Sequence, residues 1–411
     1  MVAFENGLWF TGESFAERTF YTAEGLLYDS PPAPVDFTVD LSAKYVIPPY
    51  ADAHAHLLPA PDELPPILDS LRARGIFYVR NLNNAGSYRE AARGLVNVPG
   101  SIDFAFANGG LTSILGHPMY LAETLALELY TPEAQREALQ VLKTSRIGAG
   151  NSYFAVEDVE DVDSLWEAVL AGDPDVVKIY LLNSALHEQT AGDDEYIGRR
   201  GLDPTLVPII VERAHDSGLP VSAHVETSYD FGVAVRAGVD QLAHLPGYGA
   251  STLRTSSASR YEIAVADAEL AGKNELVVVP TVSLARAASD DEARFEAIQE
   301  LQRANLRLLI RNHVTLVVGS DANTFSFRRR GVDARTEVRY LRNLSVLTDA
   351  ELLRAWVEFT PQSIFPGRRI GRLADGYEAS FLVLSGNPLE DWDNTEAIDL
   401  SVKNGLTVDL P

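Results

Sequence analysis

Eight short apolar runs separated by segments of helical periodicity predict an α/β chain whose parallel strands close as a (β/α)8 TIM-type barrel. Two further observations point the same way: a His-x-His pair closes the first run, and later runs carry or lead to Lys178, His224, His244 and Asp321. A barrel of this kind gathers its chemistry at the carboxyl ends of several different strands.

The runs lie at 50–56, 76–81, 102–108, 175–181, 220–225, 239–244, 276–281 and 314–320. The first carries His54 and His56, which as residues i and i+2 of a strand face the same way. Two imidazoles separated by one small residue suit a metal ion, although the pair alone also fits hydrogen-bonded surface histidines. The fourth run holds Lys178 inside Val-Val-Lys-Ile-Tyr, the fifth ends in His224, the sixth in His244, and the eighth leads to Asp321. Between runs, Leu206, Ile209, Ile210 and Ala214 recur at helical spacing ahead of Ser217-Gly218. Near the start, Leu8-Trp9-Phe10 and Thr19-Phe20-Tyr21 read as strands, as does Ser380-Phe381-Leu382-Val383-Leu384 near the other end.

The ordered set of His54, His56, Lys178, His224, His244 and Asp321 resembles the amidohydrolase superfamily in its binuclear-metal type with a carboxylated lysine, on the imidazolonepropionase/prolidase-like branch. The resemblance runs through nearly the whole chain. It implies that His54, His56 and Asp321 hold the more buried ion, that His224 and His244 hold the other, and that Lys178 bridges them. It also implies a small β-sandwich made by both chain termini, residues 1–48 and 368–411, beside a hydrolase barrel of residues 49–367. Ser380 stands where relatives commonly carry Asp, which bears only on a local contact.

Lys178 cannot remain an ammonium beside two dications. Burial frees the neutral amine, which can take up carbon dioxide and become a bridging carbamate; a snorkelling or ion-paired lysine is the plain alternative. A metal pair lowers the pKa of water and polarises a carbonyl or phosphoryl group, so the expected reaction is a hydrolysis. Asp321 is then the general base and acid, or else a helix cap ahead of Ala-Asn-Thr.

His117, in Asn-Gly-Gly-Leu-Thr-Ser-Ile-Leu-Gly-His-Pro, falls where relatives carry a Gly-Gly-His element and is the candidate for stabilising the substrate carbonyl. Tyr180, Tyr248 and His187 are candidate substrate contacts, the two tyrosines being equally compatible with packing. His187 lies in a long loop from Asn183 to about Leu202, whose Arg199 and Arg200 could clamp a carboxylate or be solvated. His215 and His313, near helix ends, read as structural.

Composition bounds the rest. A chain of 411 residues with 46% hydrophobic content suffices for a barrel and a small added domain. The formal net charge of −24 argues against nucleic acid and anionic membranes, leaving a small-molecule substrate. The acidic excess is compatible with a high-salt source and does not exclude a homo-oligomer. With no cysteine, ligands are N and O atoms, which suits two zinc ions, or manganese, cobalt, nickel or iron. No run approaches the roughly 20 apolar residues of a membrane span, and the start lacks signal-peptide features, so a cytoplasmic home is expected unless a leader was removed.

The expected substrate is an amide-type C–N bond in a peptide-like or cyclic-amide molecule. Lactone, ester or phosphotriester hydrolysis would use the same metal pair, and a mononuclear deaminase would not need Lys178. A non-catalytic binding protein on this fold would be expected to have lost ligands, and none is lost here.

Overall fold

The computed structural model describes residues 1–58, 61–249, 257–287, 289 and 291–408. The chain divides into two compact units, one of residues 1–80, 92–104 and 317–411, the other of residues 81–91 and 105–316.

In the first unit both termini enter one eight-stranded sheet. Its order is Leu406–Thr407, Ile398–Lys403, Phe381–Leu384, Tyr45–Ile47, Val2–Phe10, Phe15–Ala23 and Leu26–Tyr28, with Phe37–Asp40 also pairing on Val2–Phe10. An irregularity between Phe4 and Gly7 shifts the alternation by one, so Phe4 and Trp9 both meet Phe381, with ring centroids 5.0 and 5.3 Å apart, and the two ends of the chain share one core. A second sheet of four strands runs Ala322–Asn323, Tyr50–His56, Ile76–Asn81, Asp103–Phe106. Tyr50 stacks on Trp356 at 3.7 Å, and the Trp356 indole donates to the Ala51 carbonyl, which fixes the root of the histidine strand.

Beneath the terminal sheet sits a buried ionic cluster. Lys403 Nζ lies 2.7 Å from Asp103 Oδ2 and 2.9 Å from Glu378 Oε1, and Arg368 pairs with both carboxylates. Ser380 belongs to it: its hydroxyl donates to Glu378 at 2.6 Å and accepts the Asn404 amide at 2.9 Å. Burial works to raise the Glu378 carboxyl, but Lys403, the Ser380 hydroxyl and Arg368 outweigh it and hold the group at about 2 instead of its ordinary 4.5. Because the folded value is depressed, this stabilisation is present above pH 4.5 and is lost as pH falls towards 2. Lys403→Met keeps the apolar stem but leaves two buried carboxylates short of a cation, and should cost about 3–5 kcal/mol in urea unfolding at neutral pH. A variant as stable as the parent would show that Arg368 alone neutralises the cluster.

The second unit is built on a seven-stranded parallel sheet. Its order is Tyr153–Ala155, Gly110–Thr112, Val177–Leu181, Val221–Val225, Gln241–Ala243, Val277–Val279, Thr315–Leu316. These strands are buried and rich in Val, Ile and Leu, as parallel strands covered by helices must be. The helix Val207–Asp216 buries Val207, Ile210, Val211 and Ala214, as its spacing requires. Leu206 is buried one residue ahead of that helix and Ile209 lies at its half-exposed edge.

The fold is thus mixed α/β with parallel sheet, as the alternation predicts, but the described parallel strands are hydrogen-bonded as two sheets and not as one closed ring. Two strands arise where a glycine-rich loop and a connecting segment were expected, Gly110–Thr112 and Tyr153–Ala155. The run 314–320 keeps only Thr315–Leu316 as strand. Among the described residues no helix is long and apolar enough to cross a membrane.

Candidate metal centre

In the first unit the strand Tyr50–His56 is buried to its last residue, which is half-exposed. Its period of two places the His54 and His56 rings 5.3 Å apart, with their Nε2 atoms 3.1 and 3.0 Å from the same Asp321 Oδ1. His54 and Asp321 are among the described residues whose ligand atoms could hold a metal ion. Asp321 is delivered by backbone geometry: its φ is +52°, and its amide donates to the His54 carbonyl at 2.7 Å. Such a conformation costs a non-glycine residue on the order of 1–3 kcal/mol and persists where the surroundings impose it.

Asp52 imposes it. Buried two residues before His54, its carboxylate accepts the His54 amide at 3.1 Å, the Ser320 amide at 3.0 Å and the Ser320 hydroxyl at 2.6 Å. One side chain therefore aligns the segments that carry the histidines and the aspartate. Burial pushes its carboxyl up to about 7 against the opposing pull of those hydrogen bonds.

In the second unit Lys178 is 1% exposed and lies beside Gly110, where an added Cβ would come 3.2 Å from Lys178 Cγ and 2.5 Å from the Tyr180 ring. The glycine is what lets strand Gly110–Thr112 close on the lysine. The register Tyr180↔His224↔Ala243 brings the next candidates level. His224 and His244 have ring centroids 4.5 Å apart, and Tyr248 stacks on His244 at 4.0 Å while its hydroxyl shares a hydrogen bond with His224 Nε2 at 3.3 Å. His117 joins this group, 5.2 Å from the Tyr180 ring and 5.3 Å from His224. It is held there by its amide, which donates to the Arg200 carbonyl at 2.9 Å, and by the Thr112 hydroxyl, which donates to its carbonyl at 2.6 Å.

No protein-family model and no curated protein sequence matches this chain. Solved structures do. An amidohydrolase matches over 99% of this chain and 98% of its own, at 20% identity and a TM-score of 0.73. The A. niger ochratoxinase matches over 100% and 96%, at 18% identity and a TM-score of 0.75. A prolidase complexed with N-methylphosphonate-L-proline matches over 99% and 99%, at 20% identity and a TM-score of 0.70. The chain shares the fold of these solved structures.

Within this shared fold each unit gathers its own share of the expected side chains: His54, His56 and Asp321 in one, Lys178, His224, His244, His117, Tyr180 and Tyr248 in the other. His187 is placed differently. It is half-buried and faces Asp203 at 4.0 Å, with burial and then Arg200 lowering its pKa. His215 pairs with Asp240 at 2.9 Å, and His313 is exposed just past its helix.

Three residues of this chain escaped sequence reasoning. Asp52 was readable as a carboxylate inside an apolar run at i−2 from His54. Glu226 follows His224 at i+2, with Oε1 4.0 Å from His224 Nε2, and burial raises its carboxyl against the pull of His117, Arg260 and Arg199. Thr281, fully buried, meets His244 Nδ1 at 2.7 Å. With Nδ1–H donated to Thr281, the His244 Nε2 lone pair points elsewhere, which is how outer groups prepare an imidazole for an ion. Thr281→Val preserves shape and branching at a residue whose φ is +50°, so its effect isolates the hydroxyl. We expect metal affinity or turnover to fall about 10- to 100-fold; unchanged values would deny Thr281 that role.

Proposed function

We propose that this protein is a metal-dependent hydrolase that cleaves an amide-type C–N bond in a peptide-like or cyclic-amide substrate. The reading has the parallel strands as a (β/α)8 barrel, with the terminal strands as its small β-sandwich. The observation that carries it is the donor set: five buried or half-buried N and O side chains, His54, His56, Asp321, His224 and His244, together with a fully buried Lys178. This chemistry fits two divalent cations, zinc first. Four neutral imidazoles would complete the coordination, while one aspartate and a carbamate formed on Lys178 from carbon dioxide would offset half of the positive charge.

The cations would supply Lewis acidity and a water of lowered pKa. The remaining work falls to the chain. Asp321, already in contact with both first-strand histidines, would take the proton of the attacking water and return it to the leaving nitrogen. His117 would donate to the substrate carbonyl oxygen as negative charge develops there. Tyr180, Tyr248 and His187 would contact substrate. Support for amide hydrolysis comes from chains of the same fold, which include the prolidase and a phenylurea hydrolase B with a TM-score of 0.69 at 17% identity.

The test is metal content beside a substrate screen. Protein reconstituted with zinc should bind two ions per chain and hydrolyse dipeptides, N-acyl amino acids or cyclic imides faster than lactones or aryl phosphotriesters. One ion per chain with deaminase activity, or a folded metal-free protein without turnover after reconstitution, would discard the proposal.

A further inference from the structure

The first unit contains a cavity of about 290 Å³ that is separate from the histidine strand and lined by three arginines, Arg18, Arg354 and Arg372. Arg354 Nε donates to Glu358 Oε2 at 2.8 Å, and Arg372 Nε donates to Glu358 Oε1 at 2.5 Å. Glu358 is 5% exposed, so one buried carboxylate holds both guanidiniums against the cavity wall through their Nε atoms, with Arg354 Nη2 also 3.5 Å from its Oε1. Arg354 is fixed a second time by its stack on the Phe359 ring at 4.8 Å. Arg18 is exposed on the same wall and makes no ion pair among the described residues.

The surrounding backbone keeps this space open. Gly12 and Gly371 line it at φ of +103° and +80°, and a Cβ on Gly12 would come 3.6 Å from Arg354 Nε. Glu358 itself is presented by a π-helical turn, Ala355–Phe359, a distortion that recurs at functional sites. Three guanidiniums and one carboxylate leave a local charge of +2 in a chain whose net charge is −24. An acidic protein that orders cations around a cavity with too few anions to neutralise them has built an anion receptor.

We propose that this cavity is a second binding site, distinct from the metal centre, for a small dianion of the phosphate type, free or as the phosphate group of a monoester. The volume holds a phosphate with room for a short substituent. Planar guanidiniums supply paired N–H donors that match phosphate oxygens.

Isothermal titration of the metal-loaded protein with inorganic phosphate and with glycerol phosphate, repeated on Arg18→Ala and Arg372→Ala, tests this. The expected result is saturable binding whose Kd rises at least about tenfold in each variant, with hydrolytic turnover unchanged in Arg18→Ala. Tighter binding of the ester than of phosphate assigns a phosphorylated metabolite, and equal binding assigns the free ion. Arg372→Ala removes a partner of a buried carboxylate and could unfold the protein, whereas Arg18 carries no such duty, so its variant decides. Binding that is the same in Arg18→Ala and the parent, or no saturable binding below about 10 mM, overturns the proposal.

Discussion

Asp321→Asn should lower turnover by about 10²- to 10⁴-fold, the contribution of a positioned general acid and base, while thermal unfolding stays near that of the parent. The amide is isosteric, and the groups that seat residue 321 act on its backbone: its N–H on the His54 carbonyl and the Asp52–Ser320 contacts beside it. What changes is the Oδ1 atom shared by His54 and His56 at 3.1 and 3.0 Å. An amide cannot carry a proton from water to a leaving nitrogen, so the loss should appear in kcat. Near-parental kcat would deny Asp321 a catalytic role, and the cap read as the alternative from sequence is not its role either, because Asn323 caps the helix Thr324–Arg330.

Lys178→Ala should abolish most turnover, by more than the roughly 10- to 100-fold that a supporting residue costs, and short carboxylates such as acetate should restore part of it. The reasoning is steric as well as electrostatic. Lys178 is among the largest fully buried side chains, and its neighbour Gly110 admits no Cβ, so truncation leaves a channel of about the width of an alkyl stem into which a carboxylate can diffuse. Two oxygens arriving there replace the two of a carbamate. An apolar core lysine would respond differently: truncation would lower stability and no carboxylate would restore rate.

Much of the fold was legible because burial on both faces writes strands as unbroken apolar runs. The strands Tyr50–His56 and Ile76–Asn81 have the bounds expected of them. The strand Gly110–Thr112 was not legible, since glycine and threonine there look like a turn; its pairing follows from contact with Lys178 and Tyr180, which no local pattern encodes. His244 and Asp321 adopt φ of +80° and +52°, so they stand just outside regular strand and blur the ends of their runs. The candidate ligands could be picked out because ligand chemistry restricts their residue types. Asp52 and Thr281 were missed because they act on backbone and ring nitrogens, partners that leave no periodicity. The Lys403–Asp103 pair joins positions 300 apart, beyond the reach of any short pattern.

The Asp52–Ser320 clamp has a consequence for synthesis. Its partners stand 268 positions apart, so at roughly 5–20 residues per second a ribosome needs on the order of ten to fifty seconds to supply Ser320 and Asp321 after His54 has emerged. Throughout that interval the nascent histidine pair has neither its carboxylate nor the brace that orients it. Under the proposed reading, cation loading at this strand would wait until residue 321 has been made, and a ribosome stalled short of residue 320 would display imidazoles without a completed pocket.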